Sequence, residues 1–389
     1  MHIEKLYIGT WFQRTTLHLS ELWRLFDMEG PETFFAAGDL LSLRKQLDLE
    51  TAERITSGFE CIRFKTAKGI SGTIYEDGLM VIETSDVSDT EKAKESLRRY
   101  YENCLSTCVT YLFSKGAPIP KELANIPTVL PYMFVVSGGS DDDIEKAFFA
   151  PGTERLHSAM KGKQTSIFKG SSTMVLHDPV NDVQTAMIVE THIFFREFKV
   201  QLERYLSIHR TLWEKIKTVL ESDEIKGTDI EPIRTELQGY QKSVNLIEAR
   251  INQMPAYVKT RQKLTVIEGD ENLVLTTSLR FEDLLDTHEY IKHLWSMTKN
   301  YLQSALDMLT ALQAESTKTS ISSLQLVTTV GVISGLVAYL GKDGFPPITR
   351  FGLGYFVGLL AVTWIINSLI SFIFKRRMYT VKKHSGLKI

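Results

Sequence analysis

Cysteine is scarce in this chain of 389 residues, which has three in total. Cys61, Cys104 and Cys108 are too few for a disulfide framework, and their number fits a reducing compartment. Cys104 and Cys108 lie four residues apart on one face of a predicted helix, where they are either two core thiols or half of a metal site. We favour core thiols, because no second Cys or His pair has the spacing that would complete four ligands.

Catalytic and nucleic-acid-binding signatures are missing as well. The sequence has no HExxH, no GxSxG and no GxxxxGK[ST], although Lys161-Gly-Lys163 and Lys169-Gly-Ser-Ser172 are basic and contain glycine. Lysine and arginine number 45 against 47 acidic residues, a net charge of −2, so no basic excess points to nucleic acid. We therefore expect neither an enzyme, nor direct nucleic-acid binding, nor a covalently bound cofactor.

An apolar core is also lacking near the start, where Met1-His-Ile-Glu-Lys-Leu-Tyr7 does not resemble a signal peptide, so we expect the bulk of the chain in the cytoplasm. Long apolar runs occur only near the other end, at 324–340 with 17 residues and at 351–374 with 24. Both lengths lie within or near the length that crosses a hydrocarbon core of about 30 Å. We predict two transmembrane helices within 324–374, joined by an outer loop at 341–350 that is rich in turn-forming residues.

The charge of the flanking segments predicts the orientation. Six basic residues follow the second run in the tail 375–389, against Lys342 and Arg350 in the loop. The positive-inside rule then puts both termini in the cytoplasm and predicts a two-span protein of the cell inner membrane, with the lipid bilayer as a partner. The six basic residues are Lys375, Arg376, Arg377, Lys382, Lys383 and Lys388.

A long helical pattern leads into the first apolar run. Packing residues recur at alternate steps of three and four, which is the heptad pattern of a packed helix. No proline or glycine interrupts the pattern before Gly331, so we predict a stalk helix at 276–323 that continues into the membrane, about 60 residues and roughly 90 Å long in all. This seam is Phe281, Leu284, His288, Ile291, Trp295, Thr298, Leu302, Ala305, Leu309 and Leu312.

The segment 1–180 has the pattern of a mixed α/β domain. A helix is expected at 90–113, and three carboxylates at 141–143 either coordinate Mg²⁺ or Ca²⁺ or accompany a helix cap at Ser140 or Asp141. We favour the cap. Strand patterns occur at 3–11, 60–65, 72–83 with an internal Asp-Gly turn, 128–136 and 172–177.

The segment 181–275 has the pattern of an antiparallel helical pair, with seams at 195–219 and 233–254 separated by a polar turn. Pro255 is expected to kink or end the second helix. His209 and His288 fall on seams, where we favour a packing role over a metal-binding or pH-sensing one.

A single hairpin of membrane helices cannot enclose a water-filled path, so we expect several copies to assemble. Close helix contacts are expected at the pairs Gly331 with Gly335 and Gly354 with Gly358. Polar residues concentrate on the first apolar run and its entry, which favours it as the pore wall, although hydroxyl groups often bond to their own helix backbone. The predicted pore-lining residues are Ser322, Gln325, Thr329, Ile333 and Leu336.

The order of these parts resembles that of the CorA-type divalent cation channels over the whole chain. The resemblance implies a homopentamer and an outer filter at the end of the first membrane helix, where Tyr339, Gly341 and Asp343 echo the family's setting. The family's aromatic-Gly-Met-Asn motif is absent, because the chain reads Tyr339-Leu-Gly-Lys-Asp-Gly-Phe345. We therefore expect weak ion selectivity.

Two functions follow from this resemblance. The first is a CorA-like homo-oligomeric channel that passes Mg²⁺ or a similar divalent cation, as permeant or regulatory ion, and that its cytoplasmic domain gates. The second is a CorA-like membrane effector of type III CRISPR defence, with a pore opened by a nucleotide second messenger, which the missing motif favours. A third reading is a non-conducting scaffold whose heptads serve assembly alone.

Overall fold

The structure, a computed structural model, describes residues 1–13, 17–27, 37–115, 132–150, 154–163, 165–267, 269–340 and 378–380, with isolated helical positions between 358 and 372. At some helical positions, most of them beyond residue 318, it describes the backbone alone. The chain divides into two compact units. The sheet unit comprises Met1–Ser207 and Leu246–His293, and the helical unit comprises Ile208–Asn245 and Leu294–Ile389.

The sheet unit contains one mixed sheet of nine strands. Across the sheet the order is β2-β3-β4-β5-β1-β6-β9-β8-β7, so the first strand of the chain lies at the centre. Strands β6 and β9 pair in parallel, and the other neighbours pair antiparallel. The strands are β1 (His2–Trp11), β2 (Leu49–Ile55), β3 (Cys61–Thr66), β4 (Ser71–Tyr75), β5 (Leu79–Thr84), β6 (Tyr132–Ser137), β7 (Ser158–Lys161), β8 (Ser166–Lys169) and β9 (Thr173–His177).

The predicted α/β class is confirmed, and short helices account for much of the core against the sheet. Their inward side chains join Leu6 and Ile8 of β1 in one apolar cluster that also contains Cys108. The helix expected at 90–113 is present in three pieces, because a π-helical segment (Tyr101–Leu105) interrupts it. The helices here are α1 (Leu19–Phe26), α2 (Ala37–Leu47), α3 (Thr90–Tyr100) and α4 (Ser106–Lys115).

The three carboxylates at 141–143 lie at the start of helix α5 (Asp141–Phe148). The Ser140 hydroxyl accepts a hydrogen bond from the Asp143 N–H at 3.3 Å, and the Asp143 carboxylate accepts one from the Ser140 N–H at 2.9 Å. This reciprocal arrangement is a capping box. The cap that the sequence favoured over a metal site is confirmed.

Three long helices follow: α6 (Asp182–Leu220), α7 (Ile230–Leu264) and α8 (Glu271–Leu340). All ten seam residues predicted between Phe281 and Leu312 on α8 are buried. Pro255 does not end α7, because the helix continues to Leu264; the other expected effect of this proline, a kink, stays a prediction. Met254 and Val258 are fully buried on either side of the proline, and we attribute the continuity to this packing, which offsets a cost of about 3 kcal/mol for proline inside a helix.

Within the helical unit, α6 and α8 run in the same direction and α7 runs opposite to both. Where α6 contacts α8, the residue numbers increase together on both helices. Where α7 contacts α8, the residue numbers on α7 decrease as those on α8 increase. The contacts are His209–Thr298, Trp213–Tyr301, Gln241–Gln303 and Arg234–Gln313.

Among the described residues, no helix combines the length and the apolar character that a membrane span requires. The predicted outer loop at 341–350, about two thirds of the second apolar run and most of the tail 375–389 lie outside the described residues. The segment boundaries predicted at residues 180, 275 and 323 stay predictions, because the two units divide the chain by spatial contact and cut through all three long helices.

Candidate functional site

The five residues predicted to line a pore lie on α8: Ser322, Gln325, Thr329, Ile333 and Leu336. Their steps of three and four put them on one face of the helix. The structure describes the side chains of Gln325 and Thr329, and both are exposed. Of the predicted outer filter, Tyr339 lies in the last turn of α8, whereas Gly341 and Asp343 lie outside the described residues.

The hydroxyl of Thr329 bonds to its own helix. Its Oγ1 donates a hydrogen bond to the Gln325 carbonyl at 2.7 Å, which is the alternative to pore lining for this residue. The same oxygen keeps its lone pairs, and the residue is exposed. Thr329 therefore satisfies its donor within the helix and still presents an acceptor to the surroundings.

The described contacts between α8 and α7 end part of the way along α8. Gln313 is its last residue with described contacts to α7, donating to the Glu231 carboxylate at 3.0 Å and accepting from Arg234. From Thr317 to Leu340, every residue whose burial is described is exposed. A Cβ atom added at Gly331 or Gly335 would meet none of the described atoms within 4 Å. Among the described atoms, the surface at the two glycines predicted to form close helix contacts is therefore open.

After the second apolar run the chain pairs with the connection between α6 and α7. Strand β10 (Glu224–Lys226), between α6 and α7, pairs antiparallel with strand β11 (Met378–Thr380). Ile225 and Tyr379 are partners in this register and are 5% and 4% exposed. The α6–α7 connection thus adjoins both the departure of α8 at Gln313 and the returning strand.

Large apolar side chains are exposed between Gln313 and strand β11, which is unusual for a soluble surface. Each of these residues is more than 50% exposed in the single subunit. The described ones are Ile321, Val332, Val362, Trp364, Ile365, Leu369 and Phe372.

The two seam histidines are packing residues, as the sequence favoured. The Nδ1 atom of His209 lies 2.6 Å from the Thr298 hydroxyl, and Nε2 of His288 donates to the Ile251 carbonyl at 2.6 Å. Burial lowers the pKa of both imidazoles, which keeps them neutral at pH 7. Across the described residues, no group of three or more His, Cys, Asp or Glu side chains is arranged to hold a metal ion.

A polar groove of about 730 Å³ lies in the sheet unit, on strands β2 to β5 beside α6. The strand register sets Arg63 opposite Glu53 and Thr73, and Lys65 opposite Ser71. Arg63 is exposed and has no ion-pair partner in the described part of the chain. The groove has the size of a small-molecule site, and its lining contains the guanidinium of Arg63 together with the carboxylates of Glu53, Glu83 and Glu190.

A buried ion-pair network closes one side of an adjoining cavity of about 440 Å³. Arg261 on α7 donates to the Asp77 carboxylate from Nε at 2.5 Å and from Nη2 at 2.7 Å, and its Nη1 lies 3.4 Å from Glu190 on α6. Tyr75 donates to the other oxygen of Glu190 at 2.5 Å. Burial raises the pKa of Glu190 and of Tyr75. The network links α6, α7 and the β4–β5 turn.

Sequence reasoning missed both the groove and the network. Their residues come from strands and helices far apart in the chain, and no motif marks Arg63 or Arg261. The one available signal was that β3 alternates buried apolar and exposed basic residues. The expectations of no enzymatic activity and no covalently bound cofactor stay predictions.

Comparison with protein-family models finds no match, and comparison with curated protein sequences finds none either. Among the solved structures that match is the complete structure of the CorA magnesium transporter from Methanocaldococcus jannaschii. That match covers 63% of this chain and 90% of the other, with a TM-score of 0.32 and 9% sequence identity. These values are too low for the likeness to assign a function.

Proposed function

We propose that the chain is one subunit of a homo-oligomeric membrane channel that passes divalent cations and that its sheet unit, on the cytoplasmic side, controls the pore through α8. The observation that carries the proposal is the out-and-back course of the chain. The described contacts between α8 and α7 end at Gln313, and the chain pairs again with the α6–α7 connection at Met378–Thr380. The apolar runs at 324–340 and 351–374 lie between these points and would supply the two spans.

Assembly of several copies, five by the resemblance to CorA-type channels, accounts for the exposed part of α8. A helix without tertiary contacts is marginally stable in water, and exposed polar groups in lipid cost about 1 kcal/mol or more each. If copies of the chain pack against one another at Gly331 and Gly335, they would bury the exposed helix surface and its polar groups. The oligomer would then place Gln325 and Thr329 around a central path.

This path supplies the chemistry for a weakly selective cation pore. The amide oxygen of Gln325 and the lone pairs of Thr329 would face a partly hydrated ion near the inner mouth. The outer end would offer Tyr339, Gly341 and Asp343 in place of the family's asparagine ring. Both termini would lie in the cytoplasm, because the tail is more basic than the outer loop.

The pore face can be tested with a matched pair of substitutions. We expect Thr329→Leu to lower cation flux into liposomes severalfold, because it makes the constriction apolar and larger. Thr363→Leu, the same substitution in the second apolar run, should leave flux within about twofold of the wild type. Equal effects of the two substitutions would contradict the assignment of α8 to the pore wall.

A second candidate function is the same pore opened by a nucleotide second messenger in antiviral defence. The observation that favours it is the groove at Arg63, which has the size and the free cation that a phosphorylated small molecule needs. Flux measured with and without a panel of nucleotides separates the candidates. A nucleotide-dependent rise that Arg63→Ala abolishes would favour the second, and flux independent of nucleotide would favour the first.

A further inference from the structure

The turn that joins β8 to β9, residues 170–173, holds the carboxylate of Glu154. Hydrogen bonds reach this carboxylate from the Ser171 hydroxyl at 2.9 Å, the Ser172 hydroxyl at 3.0 Å, the Thr173 N–H at 3.1 Å and the Ser172 N–H. Gly170 permits the close approach, because a Cβ atom there would overlap the carboxylate. Two amides and two hydroxyls that converge on one anion form a receptor of the kind that backbone nests provide.

The protonation of Glu154 reports how strongly the turn prefers an anion. Burial alone would raise the pKa of Glu154, but hydrogen bonds from Thr173, Ser172 and Ser171 outweigh it and lower the pKa to about 2. Donors that stabilise a carboxylate to this extent would also stabilise another oxyanion. The turn is therefore an anion receptor, and a side chain of the same chain fills it.

Arg196 of α6 adds a full positive charge beside this turn. Its Nη2 donates to the Ser171 carbonyl at 2.7 Å. Burial lowers the pKa of Arg196, and the nearby carboxylates of Glu197 and Glu154 raise it in part. Arg196 therefore lies within electrostatic range of the anion that the turn holds.

Further charged groups lie near Lys169 and Arg196, among them Arg280 with Asp283 beside it, and Lys199, which pairs with Glu203 at 4.0 Å. Burial and the neighbouring Arg280, Arg196 and Lys199 lower the pKa of Lys169 to about 7. Burial also raises the pKa of Glu197 to about 7, so this acid is partly neutral at that pH. A phosphate group carries about −1.5 to −2 at pH 7, compared with −1 for the carboxylate of Glu154, so it would interact more strongly with Arg196.

We propose that the turn at 170–173, together with Arg196, is a binding site for a phosphate group, either free or at the end of a larger molecule. Glu154 occupies the site as a competing anion in the absence of that ligand. The phosphate oxygens accept the four hydrogen bonds that Glu154 now accepts, and the remaining charge faces Arg196. This site lies at the opposite end of the strand order from the Arg63 groove, and it does not depend on whether the chain forms a channel.

Calorimetric titration of the purified full-length chain with inorganic phosphate tests the proposal. If Glu154 occupies the turn about nine-tenths of the time, its removal raises the apparent affinity about tenfold. Glu154→Ala should therefore bind inorganic phosphate about tenfold more tightly than the wild type. Adding Arg196→Gln to this variant should remove the gain. Glu91→Ala, at an exposed acid on α3 that pairs with Lys94, should bind as the wild type does.

The outcomes separate the proposal from a purely structural role of Glu154. A folded Glu154→Ala variant with wild-type phosphate affinity would overturn it, as would a gain that survives Arg196→Gln. If Glu154→Ala does not fold, Glu154→Gln keeps the shape and removes the charge, and it should show a smaller gain in the same direction. No gain in a folded Glu154→Gln overturns the proposal equally. A phosphate monoester that binds more tightly than inorganic phosphate would identify a larger phosphorylated ligand.

Discussion

Glu197 should make the protein less stable as the pH rises from about 4.5 to about 7. Its carboxylate is buried on α6 and accepts a hydrogen bond from the Thr10 hydroxyl at 3.1 Å. Burial raises its pKa from 4.5 to about 7, which the hydrogen bonds from Thr10 and the Trp11 backbone and the charge of Arg196 only partly oppose. The folded chain therefore keeps a proton that the unfolded chain loses between pH 4.5 and pH 7. In that window stability falls with pH, by about 3 kcal/mol in all at roughly 1.36 kcal/mol per pKa unit.

Glu197→Gln removes this loss, because the amide is neutral at every pH and keeps an acceptor for Thr10. Chemical denaturation at pH 4 and pH 8 should show the variant gaining on the wild type by about 3 kcal/mol between the two conditions. Glu203→Gln is the matched control, since Glu203 lies on the same helix, is exposed and pairs with Lys199 at 4.0 Å. An identical pH dependence in Glu197→Gln and the wild type would refute the reasoning.

Three further predictions concern packing, the buried ion pair and orientation. Trp295→Ala should lower the free energy of unfolding by about 3–5 kcal/mol, because Trp295 is fully buried. Met297→Ala is the control, because Met297 is 54% exposed. It should change the free energy of unfolding by less than about 0.5 kcal/mol in the same denaturation experiment. Asp77→Asn should cost about 3–5 kcal/mol, because it removes the carboxylate that accepts two hydrogen bonds from the buried Arg261 guanidinium and leaves Glu190 as its remaining acidic partner. A measured loss below about 1 kcal/mol would contradict this prediction. A cysteine introduced by Asp343→Cys should react with an impermeant reagent outside intact cells, and labelling of the tail in its place would reverse the predicted topology.

The heptad seam of α8 could be predicted from the sequence because helix packing is a local periodic signal. Every predicted seam residue from Phe281 to Leu312 is buried, and His288 packs by donating to a carbonyl of α7. Pro255 shows the limit of local rules. The burial of its neighbours depends on helices elsewhere in the chain, and this packing outweighs the local preference to end the helix.

The sheet order could not be predicted, because strand pairing depends on contacts far apart in the chain. Strand β1 lies between β5 and β6. Strand β9 pairs with β8, the strand before it, and also in parallel with the distant strand β6. The Asp-Gly turn at Asp77 and Gly78 was predictable, since Gly78 adopts φ = +89° and glycine tolerates this conformation.

Only the turn segment of the anion receptor could be recognised in the sequence. Lys169-Gly-Ser-Ser172 has the glycine and the hydroxyls of a phosphate-binding segment but does not complete a known loop motif. Two residues of the site lie outside this segment. Glu154 precedes the β7–β8 hairpin and reaches the turn that follows it, and Arg196 lies on α6. Neither contact leaves a pattern in the sequence.

Cation flux into liposomes that contain the purified wild-type chain and no other protein tests the central claim most directly. The chain should form an oligomer by mass measurement in mild detergent, and the liposomes should admit Mg²⁺ and Co²⁺ well above protein-free liposomes, with weak discrimination against K⁺. A stable monomer that admits no cation above the protein-free background would contradict the proposed channel.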